Sequence, residues 1–274
     1  MAGTTPSLKV TAKQLPARLR EHNTTLVAAG VAFYAFLAFV PALIAFISVY
    51  GLVADPSDVK SQVNDIASAL PKEVKSFLVF QLNAIINANT SAVSLTLLVA
   101  IVIALWSASG GMASLITGIH VAHERDEPKS FVNKRGRALG LTFGAIVFLC
   151  IVVFLVTALP PLTSDAGDVG RIGLQIFRWP VLAVVMIVGI GLLYRYSTKE
   201  RTPAWLGVVT AGSVVATVGW LIVSALFAVY AANFASYSKT YGSLASIVVL
   251  LLWLWLSSLL VLIGAEFDAA ITPR

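Results

Sequence analysis

The 274-residue chain is 58% hydrophobic and only 12% charged, with a net charge of +6 and a single cysteine, Cys150. Soluble domains carry roughly 25% charged residues, so this sequence has too little charge to cover a water-facing surface of its size. The composition excludes an ordinary soluble domain, and the lone cysteine excludes an internal disulfide. Most of the surface is expected to face lipid.

Six uncharged or nearly uncharged runs meet or nearly meet the roughly 20 apolar residues that a helix needs to cross the hydrocarbon core. In chain order they are residues 26–53, 92–119, 138–164, 171–195, 201–232 and 242–265. Only helices and closed barrels satisfy their backbone hydrogen bonds in lipid, and barrel strands would alternate over about 10 residues. The sequence therefore predicts an all-α fold, a polytopic membrane bundle of six transmembrane helices.

The distribution of Lys and Arg predicts the topology. Six spans place both termini on one side, and that side carries 13 of the 19 basic residues. Loops rich in Lys and Arg stay in the cytoplasm, so both termini are predicted to be cytoplasmic. The predicted organisation is a cytoplasmic tail at 1–24, a transmembrane domain at 25–270 and a C-terminal tail at 271–274.

The first outer loop, residues 55–91, has a helical pattern of its own. Apolar residues recur at helical spacing on both sides of Pro71: Val59, Val63, Ile66 and Leu70 before it, and Val74, Phe77, Leu78, Leu82, Ile85 and Ile86 after it. This pattern predicts two amphipathic helices, which either lie flat in the outer interface or close over the bundle.

Two spans contain residues that weaken a helix. The first holds Tyr34 and Pro41, and a proline removes one backbone hydrogen bond and kinks the helix. Such a kink either helps to shape a cavity or is simply tolerated, because proline is common in membrane helices. In the second span, Gly110 and Gly111 each cost about 1 kcal/mol of helix stability, which indicates either a hinge or close packing against a neighbour.

Arg178 interrupts the fourth span. Sixteen residues separate it from Arg195, which is about 24 Å of helix and less than the roughly 30 Å core. Arg178 is therefore predicted near the outer edge of the core. Its side chain either extends to the headgroups or faces an inner cavity, where a guanidinium would bind a phosphate or carboxylate.

A polar segment, NFASYSKTYGSL at residues 233–244, connects the last two spans on the outer side. Tyr237 and Tyr241 suit an aromatic belt at the interface, and Gly242 permits sharp re-entry into the next helix. Together with Tyr34, Asn233 and Arg178, these two tyrosines form the candidate binding set for a polar or anionic headgroup. Pro41, Gly110, Gly111 and Gly242 are the candidate hinge or gating positions.

Two acids, Glu266 and Asp268, end the last span on the basic side of the membrane. A partner such as Arg20, Arg135 or Arg137 would relieve the cost of placing them there. Structural ion pairing is the first interpretation of these acids, and a proton or cation relay is the second.

No motif indicates an enzyme. His120 and His123 share a helix face, but HxxH matches neither HExxH nor HxxEH. The sequence has no phosphate-binding glycine loop, no nucleophile elbow, no acid cluster for two metals and no basic groove interleaved with aromatics. We therefore predict no catalytic residues, no metal, no cofactor and no nucleic-acid partner.

Four segments resemble the YihY/virulence factor BrkB family: AAGVAFYAFLAFVP, LWSASGGMASL, YRYSTKERTPAW and NFASYSKTYGSLASIVVLLLWLWLSSLLVLIGAEFDAA. The resemblance covers about residues 24–270. The family motif falls on Tyr34, Pro41, Trp106, Ser107, Ser109, Gly110, Asn233, Tyr237, Tyr241, Gly242, Ser243 and Glu266. Asp268 stands where relatives often have Asn, which puts any role of that amide in doubt.

The resemblance implies a six-helix protein of the bacterial cytoplasmic (inner) membrane. Some members carry the label ribonuclease BN, generally regarded as a misassignment, and others are linked to envelope integrity and lipid handling. The leading hypothesis is a protein that transports or translocates a lipid or another amphipathic, anionic envelope component. Its expected partners are membrane lipids and a possible second copy. The alternative is a non-transporting scaffold for envelope assembly, and a membrane-bound nuclease or hydrolase ranks last.

Overall fold

Seven α-helices make up the part of the chain that the computed structural model describes, and that part holds no strand. The described residues are 8–53, 90–124, 130–162, 167–198, 208–234 and 243–271. The helices are α1 (Leu8–Glu21), α2 (Thr24–Val53), α3 (Thr90–Ala122), α4 (Phe131–Leu162), α5 (Gly167–Thr198), α6 (Ala211–Phe234) and α7 (Ser243–Ile271). Helices α2 to α7 occupy the six predicted spans in order, which confirms the all-α prediction.

The helices have the length and apolarity of membrane spans. Five, one within each helix from α3 to α7, are long and apolar enough to cross a bilayer, and the bent pair α1–α2 would add a sixth. Many of their large apolar side chains are exposed, including Leu98, Trp106, Phe143, Leu149, Leu226 and Val229. So much exposed apolar surface suits lipid and would be a liability in water. The prediction of a multi-pass membrane protein is thereby confirmed.

Several helices extend further than the apolar runs that predicted them. Helix α3 continues without a break through Gly110 and Gly111 to Ala122, and α4 begins at Phe131, before the last three basic residues of its loop. The apolar run ends at the first charge, whereas a helix keeps forming backbone hydrogen bonds beyond the hydrocarbon core. The cytoplasmic placement of the termini and the domain limits stay predictions.

The N-terminal tail contains α1, a helix that the apolar pattern of the sequence does not predict. Its axis meets that of α2 at 62°, with His22 and Asn23 at the corner. Asn23 has a φ of 49°, the left-handed conformation that asparagine tolerates better than most residues. Its carbonyl accepts the N–H groups of Leu26 at 2.9 Å and Val27 at 3.1 Å. One residue therefore ends α1 and begins α2.

The chain divides into two compact units. One comprises Met1–Gly30, Met112–Ser224 and Leu256–Arg274, and the other comprises Val31–Gly111 and Ala225–Trp255. Helices α4 and α5 belong wholly to the first unit, which also contains α1. The two amphipathic helices predicted within residues 55–91 fall almost entirely on 54–89, outside the described residues, so they stay a prediction.

Within the first unit, α5, α6 and α7 meet at Gly264. A Cβ atom placed there would lie 2.5 Å from the carbonyl oxygen of Gly212 and from Tyr194 Oη, and 2.7 Å from Ala216 Cβ. Tyr194 Oη donates a hydrogen bond to the Val261 carbonyl at 2.5 Å. Small residues at 212, 216 and 264 therefore let the helices approach at backbone distance.

A second glycine ridge behaves differently. Gly136, Gly140 and Gly144 lie four residues apart on α4, but a Cβ atom at any of them would have no neighbour within 4 Å among the described residues. Small residues four apart thus pack against a neighbouring helix in α6, whereas those in α4 have no neighbour among the described residues.

This contrast predicts opposite effects of one substitution. Gly264→Ala is expected to lower the midpoint of thermal unfolding, because overpacking costs about 1–3 kcal/mol. Gly140→Ala is expected to leave it unchanged or raise it, because alanine favours a helix over glycine by up to about 1 kcal/mol. Intrinsic tryptophan fluorescence in detergent micelles measures both, and equal midpoints would contradict the packing at Gly264.

Candidate functional site: a buried charge cluster around Glu266

Glu266 lies in the last turns of α7, and its side chain is only 1% exposed. A buried carboxylate costs several kcal/mol unless basic groups and hydrogen bonds compensate it. Both of its oxygens contact a basic side chain. His22 Nδ1 lies 2.6 Å from Oε1, and Arg18 Nε donates to Oε2 at 3.1 Å. The carboxylate is therefore matched by two groups that come from α1 and its corner.

Arg18 joins three elements of the first unit. Besides contacting Glu266, its Nη2 donates to the carbonyl oxygen of Ala122 at 2.7 Å, and Nη1 lies 3.5 Å from Glu124 Oε1. The last carbonyls of a helix carry partial negative charge, so a guanidinium at the end of α3 is favourable. Glu124 is 42% exposed, and the pair it makes is correspondingly weak. Arg18 thus ties α1 to the ends of α3 and α7.

Sequence spacing explains why these two residues act together. Arg18 and His22 are four residues apart, and the His22 N–H donates to the Arg18 carbonyl at 2.9 Å, so the helical spacing continues to the corner and places both on one side, whereas Arg20 is exposed. The sequence predicted ion pairing at Glu266, but with Arg20, Arg135 or Arg137 as the partner. The observed partners differ because α1 was not predicted, and without a helix the i, i+4 relation had no meaning.

Asp268 has a separate role. Its Oδ1 accepts the N–H of Gly212 at 3.2 Å, in the first turn of α6. Carboxylates at a helix N-terminus satisfy orphan N–H groups and complement the helix dipole. Thr210 and Ser213 complete this helix start, because each side-chain oxygen accepts the backbone N–H of the other residue. A relay through Glu266 and Asp268 together stays a prediction.

The C-terminal end of α5 collects two more basic groups. His120 Nε2 lies 2.7 Å from the Ser197 carbonyl oxygen, and Arg137 Nη2 donates to the same oxygen at 2.5 Å. His123 Nδ1 lies 2.9 Å from the Ile119 carbonyl oxygen. Both histidines of the HxxH pattern thus use a ring nitrogen on backbone oxygen. Within the described ranges, no three His, Cys, Asp or Glu side chains form a group that could hold a metal ion.

The second unit contains Gly110 and Gly111, the pair predicted to weaken α3. The ring of Tyr34 lies on the glycine pair: a Cβ atom at Gly110 would be 2.8 Å from Tyr34 Cδ1, and one at Gly111 would be 3.3 Å from Tyr34 Cβ. Ser109 Oγ donates to the Trp106 carbonyl at 2.8 Å. Close packing, rather than a break in the helix, is the observed arrangement. Tyr34 keeps 40% exposure.

The remaining candidate residues are only partly placed. Pro41, Arg178 and Asn233 lie within α2, α5 and α6, but their side chains are outside the described part. Tyr237, Tyr241 and Gly242 fall outside the described residues altogether. The predicted binding set and the gating positions therefore stay predictions. The site that the structure does assemble, Arg18, His22 and Glu266, shares only Glu266 with the predicted residues.

The apolar helices and the buried charges at their ends define a multi-pass helical membrane protein. A sequence profile described as Virulence factor BrkB matches residues 15–274. The chain is also 31% identical over 270 residues to the ribonuclease-like protein YfkH of Bacillus subtilis, covering 96% of this chain and 95% of that protein. The chain therefore belongs to the virulence factor BrkB family. No solved structure matches it.

The cluster predicts a large effect of removing Arg18. Arg18→Gln leaves Glu266 buried beside one basic group and is expected to cost about 3 kcal/mol of folding stability. Arg20→Gln, a neighbouring change on the exposed face, is the matched control and should have little effect. Thermal unfolding in detergent micelles compares the two variants.

A double-mutant cycle with Glu266→Gln tests the pairing directly. The double variant is expected to lose less stability than the sum of the single losses, by about 1 kcal/mol or more, because residues in one ion-pair network are coupled. Strict additivity would show that Arg18 acts without Glu266.

The packing of the Tyr34 ring against Gly110 predicts a compensating pair of substitutions. Gly110→Ala drives a methyl group into the Tyr34 ring and should reduce the amount of folded protein recovered in detergent. Adding Tyr34→Leu, which removes the ring, should restore it. Gly30→Ala in α2 is the control, because a Cβ atom there has no neighbour within 4 Å. Failure of Tyr34→Leu to rescue would place the cost of Gly110→Ala elsewhere.

Proposed function

We propose that this protein translocates a lipid, or another amphipathic anionic component of the envelope, across the cytoplasmic membrane and does no enzymatic chemistry. The observation that supports this most is the buried Glu266 held by Arg18 and His22. Ionisable groups inside helical membrane proteins are costly, and where they occur they commonly mark substrate or ion pathways.

Unused polar atoms in the first unit give further support. Thr24 Oγ1, His120 Nδ1 and Ser197 Oγ are buried and have no hydrogen-bond partner among the described residues. A buried polar group without a partner costs about 1–3 kcal/mol, so each calls for a water molecule or polar ligand to complete it. Polar groups that accept water within a membrane bundle suit a pathway for headgroups or ions.

The open ridge of α4 favours a second candidate function, a scaffold for envelope assembly. Small residues in membrane helices let another helix approach closely, and this ridge has no partner within the described part of the chain. A scaffold or a homo-oligomer would fill it with a helix of another chain. The name of the relative YfkH refers to ribonuclease-like character of that protein, and the proposal for this chain includes no nuclease activity.

Reconstitution tests the proposal. The purified protein is placed in vesicles of phosphatidylethanolamine and phosphatidylglycerol that carry a trace of phosphatidylglycerol labelled on its headgroup with a nitrobenzoxadiazole dye. Dithionite destroys the dye in the outer leaflet only, so lipid that crosses the membrane becomes accessible to it. The protein is expected to raise the fraction of dye destroyed above that of empty vesicles. No increase would favour the scaffold.

A pair of variants locates the headgroup contact. Arg178→Ala is expected to slow the movement of labelled lipid about tenfold, equivalent to about 1.4 kcal/mol, without reducing the amount of reconstituted protein. Arg171→Ala, two turns earlier in α5, is the matched control and should keep the wild-type rate. Loss of folded Arg178→Ala protein would indicate a structural role for this arginine instead.

A further inference from the structure

We propose that His22 and Glu266 form a proton-binding site, at which a proton taken up by the His22 ring strengthens the attachment of α1 to α7. The site stands on the geometry of the cluster alone. Only its use, to couple transport to a proton gradient, rests on the proposed function.

The hydrogen-bond geometry decides which ring nitrogen takes the proton. An ionised carboxylate is an acceptor only, so beside an ionised Glu266 the His22 Nδ1, which lies 2.6 Å from Oε1, carries a hydrogen and donates it. In the neutral ring, Nε2 then has a free lone pair. A proton from water adds to Nε2, forms an N–H bond and leaves the contact with Glu266 unchanged in kind. The side chain of His22 is 14% exposed, which gives solvent a route to it.

The charged side chains in contact with one another at this site are Arg18, Glu266 and Glu124, and His22 contacts Glu266. Arg18 is permanently positive, and it contacts the carboxylates of both Glu266 and Glu124. With a neutral His22, this group of four carries one net negative charge, and with an imidazolium it is neutral. Because Glu266 is fully buried, an unbalanced charge beside it is costly. Histidine is also the side chain whose ordinary titration falls in the physiological range.

Neighbouring titratable groups do not take over this role. On α7, Asp268 faces the first turn of α6, where it accepts the Gly212 N–H. At the end of α3, His123 is hydrogen-bonded to its own helix through Ile119. On α1, Glu21 is exposed to solvent next to the corner. The groups that meet His22 in the described contacts are therefore Glu266 directly and, through it, Arg18 and Glu124.

Attachment of α1 is the property that the proton controls. Helix α1 joins α2 at the corner formed by His22 and Asn23, and Arg18 and His22 connect it to Glu266 on α7. A charged imidazolium makes a stronger hydrogen bond to a carboxylate than a neutral ring does, roughly twofold in energy. Release of the proton leaves Arg18 as the charged partner of Glu266 among the described contacts, so α1 is held less firmly at higher pH.

Nuclear magnetic resonance of histidine tests the site, because the chain has only three histidines. The full-length protein, labelled with ¹³C and ¹⁵N in histidine, is studied in lipid nanodiscs from about pH 5 to about pH 8, where imidazole titrates. Signals are assigned from His120→Gln and His123→Gln variants. The His22 signal is expected to pass from the protonated to the neutral form within this range. A His22 signal that does not respond to pH overturns the proposal.

Two variants identify the carboxylate responsible. In Glu266→Gln, the midpoint of the His22 titration is expected to fall by about one pH unit, because an adjacent negative charge favours the imidazolium. In Glu124→Gln, which removes the exposed carboxylate and leaves the buried one, it should fall by less than half as much. Equal midpoints in wild type and Glu266→Gln overturn the site. Because Glu124 is exposed, Glu124→Gln is expected to fold even if Glu266→Gln does not, and a fall of a full unit in Glu124→Gln would also overturn it.

The outcome is separable from that of the lipid assay. A His22 titration that depends on Glu266, in a protein that moves no labelled lipid, supports the proton site and favours the scaffold over lipid transport. Lipid movement by a protein whose His22 does not titrate supports transport and refutes the proton site.

Discussion

A carboxylate buried at the end of the last helix is the constraint on which the arrangement of the first unit depends. In a medium of low dielectric constant, an isolated Glu266 would cost more than most single interactions can return. The chain meets this constraint with a helix that precedes the six spans predicted from the sequence. Helix α1 brings one permanent and one titratable base to the two oxygens of the same carboxylate. The position of α1, and through Arg18 its link to the end of α3, follow from that requirement.

The two acids of α7 show how lipid changes the role of a charged side chain. Glu266 and Asp268 are two residues apart and therefore face different neighbours on the helix. One is neutralised by basic side chains, and the other satisfies a backbone N–H at the start of α6. Each contact compensates a buried polar group that water would otherwise solvate. In one case that group is the Glu266 carboxylate, and in the other it is the Gly212 N–H. The contacts around the ends of α3, α5 and α6 follow the same logic, because cations meet terminal carbonyls and a carboxylate meets terminal amides.

Hydropathy predicted the six long helices because a span needs about 20 apolar residues, whatever their order. It could not predict α1, which is short and polar and contains Pro16. Without α1, the sequence indicated that Glu266 needed a partner but not that Arg18 and His22 supply it. The glycine ridges mark the same limit: spacing places Gly136 to Gly144 on one face and Gly212 and Ala216 on another, but only the structure shows which face has a neighbour. At Gly110, both a hinge and close packing were consistent with the sequence, and the ring of Tyr34 distinguishes them.

The corner at Asn23 fixes the rotation of α1 about its own axis as well as the direction of that axis. This one residue ends α1 and begins α2. The number of residues between the corner and Arg18 therefore cannot change without moving Arg18 and His22. Inserting or deleting one residue there would rotate α1 by about 100° and carry both bases away from Glu266. Chain length between residues 18 and 24 is therefore under as strong a restriction as the identity of the side chains themselves.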